Sequence, residues 1–372
     1  MTIGILKEPS PETRVSLLPE HIVILKKWNV NVVVESNAAV TAFANDDKYV
    51  EAGASIGSRN DVLQQADIIL SINAPADNEI DLLRSKVLLG VYQPLFTAAT
   101  MKDWAAKGLT VFSMDMLPRT TRAQSMDVLS SQANIAGYKA VLAAANLFPH
   151  YFPMFMTAAG SVPPAKMLIL GAGVAGLQAI ATAKRLGAVV EVFDTRPAVK
   201  EEVQSLGAKF VEVEGAADAS KAGGYAVEQS EEFLQRQKAR IAESVAKADI
   251  IISTAQIPGK KAPVLITTSM IEAMKNGSVI IDLAAATGGN TELTQNDTTV
   301  IHNGVSIVGN SYLAATMPSD ASKLYGKNIL NFLQLVIDKE GKLNLNFEDE
   351  LVKGTCIIHN TEITNERVKA LV

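Results

Sequence analysis

Six residues, Gly171-Ala172-Gly173-Val174-Ala175-Gly176, constrain this chain more than any other feature because of what flanks them. The apolar run KMLIL precedes them, and VAGLQAIATAKRL follows with apolar residues at helical spacing. A strand that becomes a helix across three glycines has few geometric solutions. Gly171 permits the tight turn, Gly173 lets backbone amides approach a pyrophosphate at the helix amino terminus, and Gly176 lets helix and strand pack closely. A second strand, AVVEVF, then ends at Asp194-Thr195-Arg196. An acid at the end of that strand, roughly 20 residues past the first glycine, is placed to accept hydrogen bonds from the adenosine ribose of a dinucleotide. The carboxylate of Asp194 also repels a 2′-phosphate, so NAD is expected rather than NADP. Arg196 is the opposing feature, since an arginine there accommodates that phosphate.

The rest of the chain repeats the same texture. Apolar runs at 30–35, 66–72, 87–92 and 109–114 alternate with helical stretches, which predicts a mostly parallel sheet covered by helices. Residues 127–147 (DVLSSQANIAGYKAVLAAANL) carry small and apolar residues at helical spacing, broken only by Gly137, and read as one long connecting helix. A second series begins at Lys166 and continues through ADIIIST and SVIIDLA, whose near-continuous apolar runs fit strands buried on both faces. Residues 214–230, rich in Gly, Ala and Ser and without periodicity, read as a mobile loop. Residues 319–338 carry an apolar stripe through Leu324, Ile329, Leu330, Leu333 and Val336, with a Ser or Asp cap expected at its start. The fold class expected is α/β. It comprises two Rossmann-like, doubly wound parallel-sheet domains joined by long helices, with a cleft between them. The first is discontinuous (1–128 plus 318–372), and the second, 129–317, is the NAD-binding domain.

Composition excludes other classes. With 34 basic against 39 acidic residues, the surface is not built to hold nucleic-acid phosphates. The single cysteine, Cys356, has no partner for an intrachain disulfide, and the four histidines lack metal-ligand spacing, so no metal site and a reducing cytosol are expected. Lys7, Glu8 and Pro9 interrupt the amino terminus too early for a signal peptide, and no apolar run approaches the ~18 residues of a membrane span.

Between the two series lies MDMLPRTTRAQSMDVLSSQANIAGYKA, which offers Arg119, Arg122, Gln124, Asp127 and Ser130 near the expected interdomain junction. Were the helix to begin near Ala123, the three-residue spacing of Gln124, Asp127 and Ser130 would align a carboxamide, a carboxylate and a hydroxyl on one face. Such a set, with Arg119, suits the amide and ribose of a nicotinamide. A plainer reading stands beside it, in which Asp127 or Ser125 caps the helix and the arginines are solvated.

The segments RTTRAQSMDVLSSQANIAGYKA, GAGVAG with FDTRP, AGGY, TAQIPGKKAP and DLAAATGGN, in that order, closely resemble the NAD(H)-binding component of proton-translocating nicotinamide nucleotide transhydrogenase, along essentially the whole chain. The resemblance implies that Arg119, Gln124, Asp127 and Ser130 surround the nicotinamide and that Val174 and Asp194 contact the nucleotide. It further implies that Gly224 and Tyr225 sit in a loop closing over bound NAD(H), with Gln237 and Gln256 as further contacts. The implied assembly is a homodimer, peripheral on the cytoplasmic face of a membrane, beside a membrane-spanning component and a component that binds NADP(H).

Alanine dehydrogenase shares this fold, and the resemblance to it implies an arginine, a lysine, a histidine and an aspartate for deamination. Arg14 matches the first. Asn73 stands for the lysine, Val91-Tyr92-Gln93-Pro94 fills the histidine region, and Ala286 replaces the aspartate. Without those groups, proton transfer on an amino acid has no evident acid or base. Arg14 is also open to a structural reading, paired with a carboxylate such as Glu8. Two alternatives to transhydrogenation follow: an amino-acid dehydrogenase with unusual residues, and a non-enzymatic NAD-binding module.

Overall fold

The computed structural model describes residues 1–213 and 230–372. Two compact units emerge, Met1–Gln132 with Ala314–Val372, and Ala133–Leu313. The loop expected at 214–230 falls almost wholly outside the described residues, and Gly224 and Tyr225 with it.

In chain order the first unit lays down β1 (Thr2–Ile5), α1 (Pro19–Lys27), β2 (Asn31–Glu35), α2 (Asp46–Glu51), β3 (Ser55–Gly57), α3 (Arg59–Gln65), β4 (Ile68–Leu70), β5 (Val87–Gly90), α4 (Ala98–Ala106) and β6 (Thr110–Ser113). Helix α5 (Val128–Leu147) follows and carries the chain into the second unit. That unit holds the hairpin β7 (Phe155–Thr157) and β8 (Gly160–Val162), then β9 (Lys166–Leu170), α6 (Val174–Arg185), β10 (Val189–Phe193), α7 (Lys200–Ser205), β11 (Lys209–Phe210), α8 (Glu231–Val245), β12 (Ile250–Ser253), α9 (Thr268–Glu272), β13 (Val279–Asp282), β14 (Thr299–His302) and β15 (Val305–Val308). The chain then returns to the first unit as α10 (Pro318–Val336), α11 (Glu350–Thr355), β16 (Cys356–His359), β17 (Glu362–Ile363) and α12 (Glu366–Lys369).

Both large sheets obey one rule. The first has the order β17-β16-β6-β5-β4-β1-β2-β3 and the second β11-β10-β9-β12-β13-β15-β14. In each, the first strand of its series lies centrally, later strands are added on either side in parallel, and antiparallel pairing is confined to one edge. The strand order therefore reverses at β1 and at β9, the place where doubly wound sheets bind ligands beyond their strand carboxyl ends. Burial explains the composition of the inner strands. Every residue of β4, β5, β12 and β13 is buried, which accounts for their nearly continuous apolar runs, with Ser253 and Asp282 as the polar exceptions at the ends of β12 and β13, and each large apolar side chain contributes roughly 1.5–3 kcal/mol relative to exposure.

Helix α10 departs from expectation at its start. It opens on Pro318, with Met317 as a cap residue that makes no side-chain bond. Proline at the first helical position has φ preset for the helix and no N–H to leave unpaired, and the Ser319 hydroxyl is used elsewhere, donating to Ala42 O at 3.1 Å. Leu324 is exposed, and Tyr325 takes its place in the buried stripe with Ile329, Leu330, Leu333 and Val336. Among the described residues no helix is long and apolar enough to cross a membrane.

The fit of α1 against α10 turns on one missing side chain. A Cβ on Gly326 would lie 2.4 Å from Cε1 of His21. The imidazole accepts the Leu18 N–H at Nδ1, 2.9 Å, and is 3% exposed. Burial lowers its pKa to about 4. A base held below its unfolded value of about 6.5 favours the neutral form in the fold, so its contribution is intact above pH 6.5 and is lost as pH falls toward 4, by about 3 kcal/mol at most. Thermal unfolding at pH 4.5 and 7 should therefore show a larger acid penalty for the wild type than for His21→Gln. Equal penalties would contradict this coupling.

Candidate functional site

In the second unit the strand-to-helix turn after β9 is built as its glycines demand. Gly171 has φ of +101°, and a Cβ there would meet Thr254 Oγ1 at 2.4 Å. A Cβ on Gly176 would lie 1.9 Å from the Gly171 carbonyl oxygen, so helix and turn touch backbone to backbone. Above Gly173 there is open space, with no atom within 4 Å of an added Cβ. That opening lies at the amino end of α6, where the helix dipole and free N–H groups favour a phosphate. Val174, the first residue of the helix, is 40% exposed beside it. From the other side Gly137 of α5 packs on the same turn, since a Cβ there would lie 2.1 Å from Ala175 O. The one interruption in that helix is therefore a packing requirement.

Asp194 ties the turn to the next strand. Its Oδ2 accepts from Ala172 N–H and from Arg196 Nη2, both at 2.7 Å, and its Oδ1 accepts from Arg196 N at 2.8 Å and Nε at 2.9 Å. Arg196 thus lies along the acid as a partner in this structure, and the ion pair raises the arginine pKa further. The half-buried Thr195 sits between them.

A network not expected from the sequence shapes the loop after β12. Buried Asn290 accepts at Oδ1 from Ser253 Oγ, 2.5 Å, and Ala255 N, 3.1 Å, and donates from Nδ2 to Ala255 O and Pro263 O, both 2.8 Å. Asp282 in turn accepts from Asn290 N at 2.6 Å, Thr294 Oγ1 at 2.6 Å and Ala284 N at 2.9 Å. Thr254 closes on the glycine turn, donating to Gly171 O at 3.1 Å. Exposed Gln256 is held by its bond to Leu283 O, 2.9 Å. The signal for this knot is the Gly-Gly-Asn after the β13 run, where two positive-φ glycines aim the asparagine inward. Gln237 behaves differently: it is 7% exposed on α8, and its Oε1 has no hydrogen-bond partner among the described residues.

In the first unit the segment after β6 does not open directly into α5. A 3₁₀ turn, Thr121–Met126, comes first, and the α-helix starts at Val128. Ala123 and Met126 are buried, while Gln124 is exposed. Gln124, Asp127 and Ser130 therefore do not share one helical face. Asp127 caps the helix, accepting Ser130 N–H at 2.9 Å and Ser130 Oγ at 2.6 Å. The capping reading is thus realised, and it brings the carboxylate and the hydroxyl together. Arg119 is exposed, and Arg122 pairs with Asp349, the cap of α11.

Arg14 finds a different partner from the one expected. Its Nε and Nη2 grip Glu12 at 2.8 and 2.6 Å, and Nη1 donates to Gln132 Oε1 at 2.7 Å. Burial works to raise the Glu12 pKa, but the guanidinium outweighs it and holds the carboxyl below its usual range. Glu8 instead accepts from Ile72 N at 2.5 Å, Asn73 N at 3.1 Å and Asn73 Nδ2 at 3.0 Å, and burial pushes its pKa up. A single residue, Thr13, separates Glu12 from Arg14, which allows the bidentate grip, whereas Glu8 is consumed by the turn after β4.

Comparisons with known proteins cover both units. The family Alanine dehydrogenase/PNT, N-terminal domain, matches residues 4–136, and Alanine dehydrogenase/PNT, C-terminal domain, matches 140–366. The first of the polypeptides that make up NAD(P) transhydrogenase subunit alpha in Rhodospirillum rubrum is 46% identical over 376 residues, covering 98% of this chain and 98% of that protein. NAD(P) transhydrogenase subunit alpha of Haemophilus influenzae is 44% identical over 366 residues, 97% of this chain and 71% of that one. The crystal structure of transhydrogenase from Sinorhizobium meliloti superposes with a TM-score of 0.89 at 45% identity, covering 98% of this chain and all of that one.

The glycines make a paired prediction. Gly173→Ala should leave thermal stability within a few degrees of wild type yet weaken NADH binding by at least about tenfold, whereas Gly176→Ala should destabilise the fold by about 2 kcal/mol or more. Calorimetry and NADH titration of the two variants check this, and equal stability would contradict it. Asp194→Asn should lower the preference for NADH over NADPH by about tenfold, because it removes a charge-assisted acceptor and releases Arg196. An unchanged ratio of the two dissociation constants would count against that role.

Proposed function

The chain belongs to the alanine dehydrogenase/PNT family, and from that membership and the geometry above we propose that it is the NAD(H)-binding component of a proton-translocating, Re/Si-specific NAD(P) transhydrogenase. In this role it presents NADH for direct hydride transfer to NADP held on a partner component. The turn Gly171, Gly173 and Gly176, with Val174 beside it, receives the pyrophosphate, and Asp194 with Thr195 and Arg196 receives the adenosine ribose. Arg119, Gln124, Asp127 and Ser130 orient the nicotinamide amide and ribose. Gln237, Gln256 and the undescribed Gly224 and Tyr225 complete the set. The open space over Gly173 suits such a dinucleotide, and the carboxylate of Asp194 stands beside it at the end of β10, tied to the turn by the Ala172 amide.

When bound, the reduced nicotinamide supplies the hydride. The chain's own groups then bind, orient and shield, and none has to move a proton. The observation that carries this reading is Asn73: at the position where the resemblance to alanine dehydrogenase implies a lysine, a neutral carboxamide donates to Glu8 and neutralises nothing. The names of the relatives, which describe alpha subunits, support the existence of partner subunits. A membrane-spanning partner, and a homodimer peripheral on the cytoplasmic face, belong to the same reading.

Mixed with an NADP-binding component, the chain should exchange hydride between NADH and NADP. Asparagine caps helices as well as aspartate does, so Asp127→Asn should keep its fold and slow transfer by about 10–100-fold, with NADH affinity changed less than about threefold. Parallel loss of rate and affinity would refute the orienting role. Steady NADH formation from NAD and alanine by the chain alone would refute the transhydrogenase reading.

A further inference from the structure

The 3₁₀ turn that carries Gln124 into Asp127 is gripped from outside. Asn328 and Asn331, one turn apart on α10, both donate their side-chain amides to Ser125 O, each at 2.8 Å. Two donors saturate the two lone pairs of one carbonyl. The end of a 3₁₀ turn leaves such carbonyls without a helical partner, and here α10 supplies both. Ala123 and Met126, three residues apart and therefore eclipsed in a 3₁₀ turn, pack into the same core as Tyr325 and Ile329 of α10. The turn is thus fixed on its inner side by packing and at its carbonyl by two amides, with Gln124 left exposed.

Asn328 makes the arrangement hard to read as ordinary packing. It is 8% exposed, and its Oδ1 has no partner among the described residues. Burying an unsatisfied acceptor costs roughly 1–3 kcal/mol, which an apolar side chain at that point of the stripe would avoid. The amide is kept for its donor. A second tie acts about two turns away. Gln132 of α5 donates to Ala321 O of α10 at 3.1 Å and accepts from Arg14 Nη1 at 2.7 Å. The register of Gln124, Asp127 and Ser130 is therefore set by α10 at two points.

We infer that Asn328 and Asn331 are positioning residues for the nicotinamide-orienting groups, acting through the Ser125 carbonyl. This rests on the function proposed above. Displacement of an orienting group by about 1 Å costs on the order of 100-fold in rate while leaving most binding contacts in place. Asn331 is half-buried, so its replacement threatens the fold less than that of Asn328.

The full-length chain carrying Asn331→Ala, Asn331→Gln or Asn328→Ala is mixed with the NADP-binding component, and hydride transfer at saturating NADH is compared with the NADH dissociation constant. Asn331→Ala should slow transfer by about tenfold or more with affinity changed less than about threefold, and Asn331→Gln, which keeps an amide donor, should recover much of the rate. Wild-type transfer in both alanine variants would overturn the inference. So would parallel loss of rate and affinity that Asn331→Gln does not relieve. The emission of bound NADH, measured without partner, reports the ring's surroundings: Asn331→Ala should move it toward that of free NADH, and an unchanged spectrum would overturn the clamp. Should the unaltered chain fail to transfer hydride, the proposed function falls, while the emission measurement still decides the clamp.

Discussion

Helix α6 approaches the end of β9 so closely that the Gly171 carbonyl occupies the place a side chain on Gly176 would need. Much of the second unit follows from that contact. It points the amino end of α6 along the strand, opens the space over Gly173, and brings Ala172 within reach of Asp194 at the end of β10. Thr254 and the Asn290 knot then seat the loop after β12 against the same turn. A backbone-to-backbone approach of this kind is available to glycine alone, so the geometry is written into residue identity rather than into hydrophobic pattern.

The first unit reaches a similar topology with different chemistry at its strand ends. Beyond β1 and β4, Glu8 satisfies the amides of Ile72 and Asn73, and at the end of β6, Ser113 Oγ donates to the half-buried Asp115 at 2.5 Å, whose pKa desolvation raises. These polar groups are spent on one another. A shared architecture therefore carries an open glycine turn at the strand ends of one unit and an internally satisfied set of side chains at those of the other, so the fold alone does not decide what a strand end does.

What the sequence makes legible divides along physical lines. The strands and the glycine turn are legible because apolar runs and glycines report local demands directly, as in KMLIL and AVVEVF. The start of α5 is not, because capping by Asp127 competes with helical periodicity across 123–127, and the outcome depends on burial of Ala123 and Met126 by α10, some 200 residues away in the chain. Likewise Glu8 and Glu12 are equally plausible partners for Arg14 on paper, and the choice is made by Asn73 claiming Glu8. Gly137 reads as a flaw in a helix, and only the proximity of Ala175 explains it.

The saturation of Asp194 has a kinetic corollary. A carboxylate offers about four acceptor positions, and one backbone amide of the glycine turn, one of Arg196 and two guanidinium nitrogens already occupy them. In the proposed role, an arriving ribose would displace a resident donor instead of entering a vacancy, and a departing one would find a replacement at hand. Part of the gross attraction is thereby cancelled, and the exchange lowers the barrier to release. For a carrier that releases its oxidised nucleotide on every cycle, as proposed above, an acid that is never left bare would favour turnover.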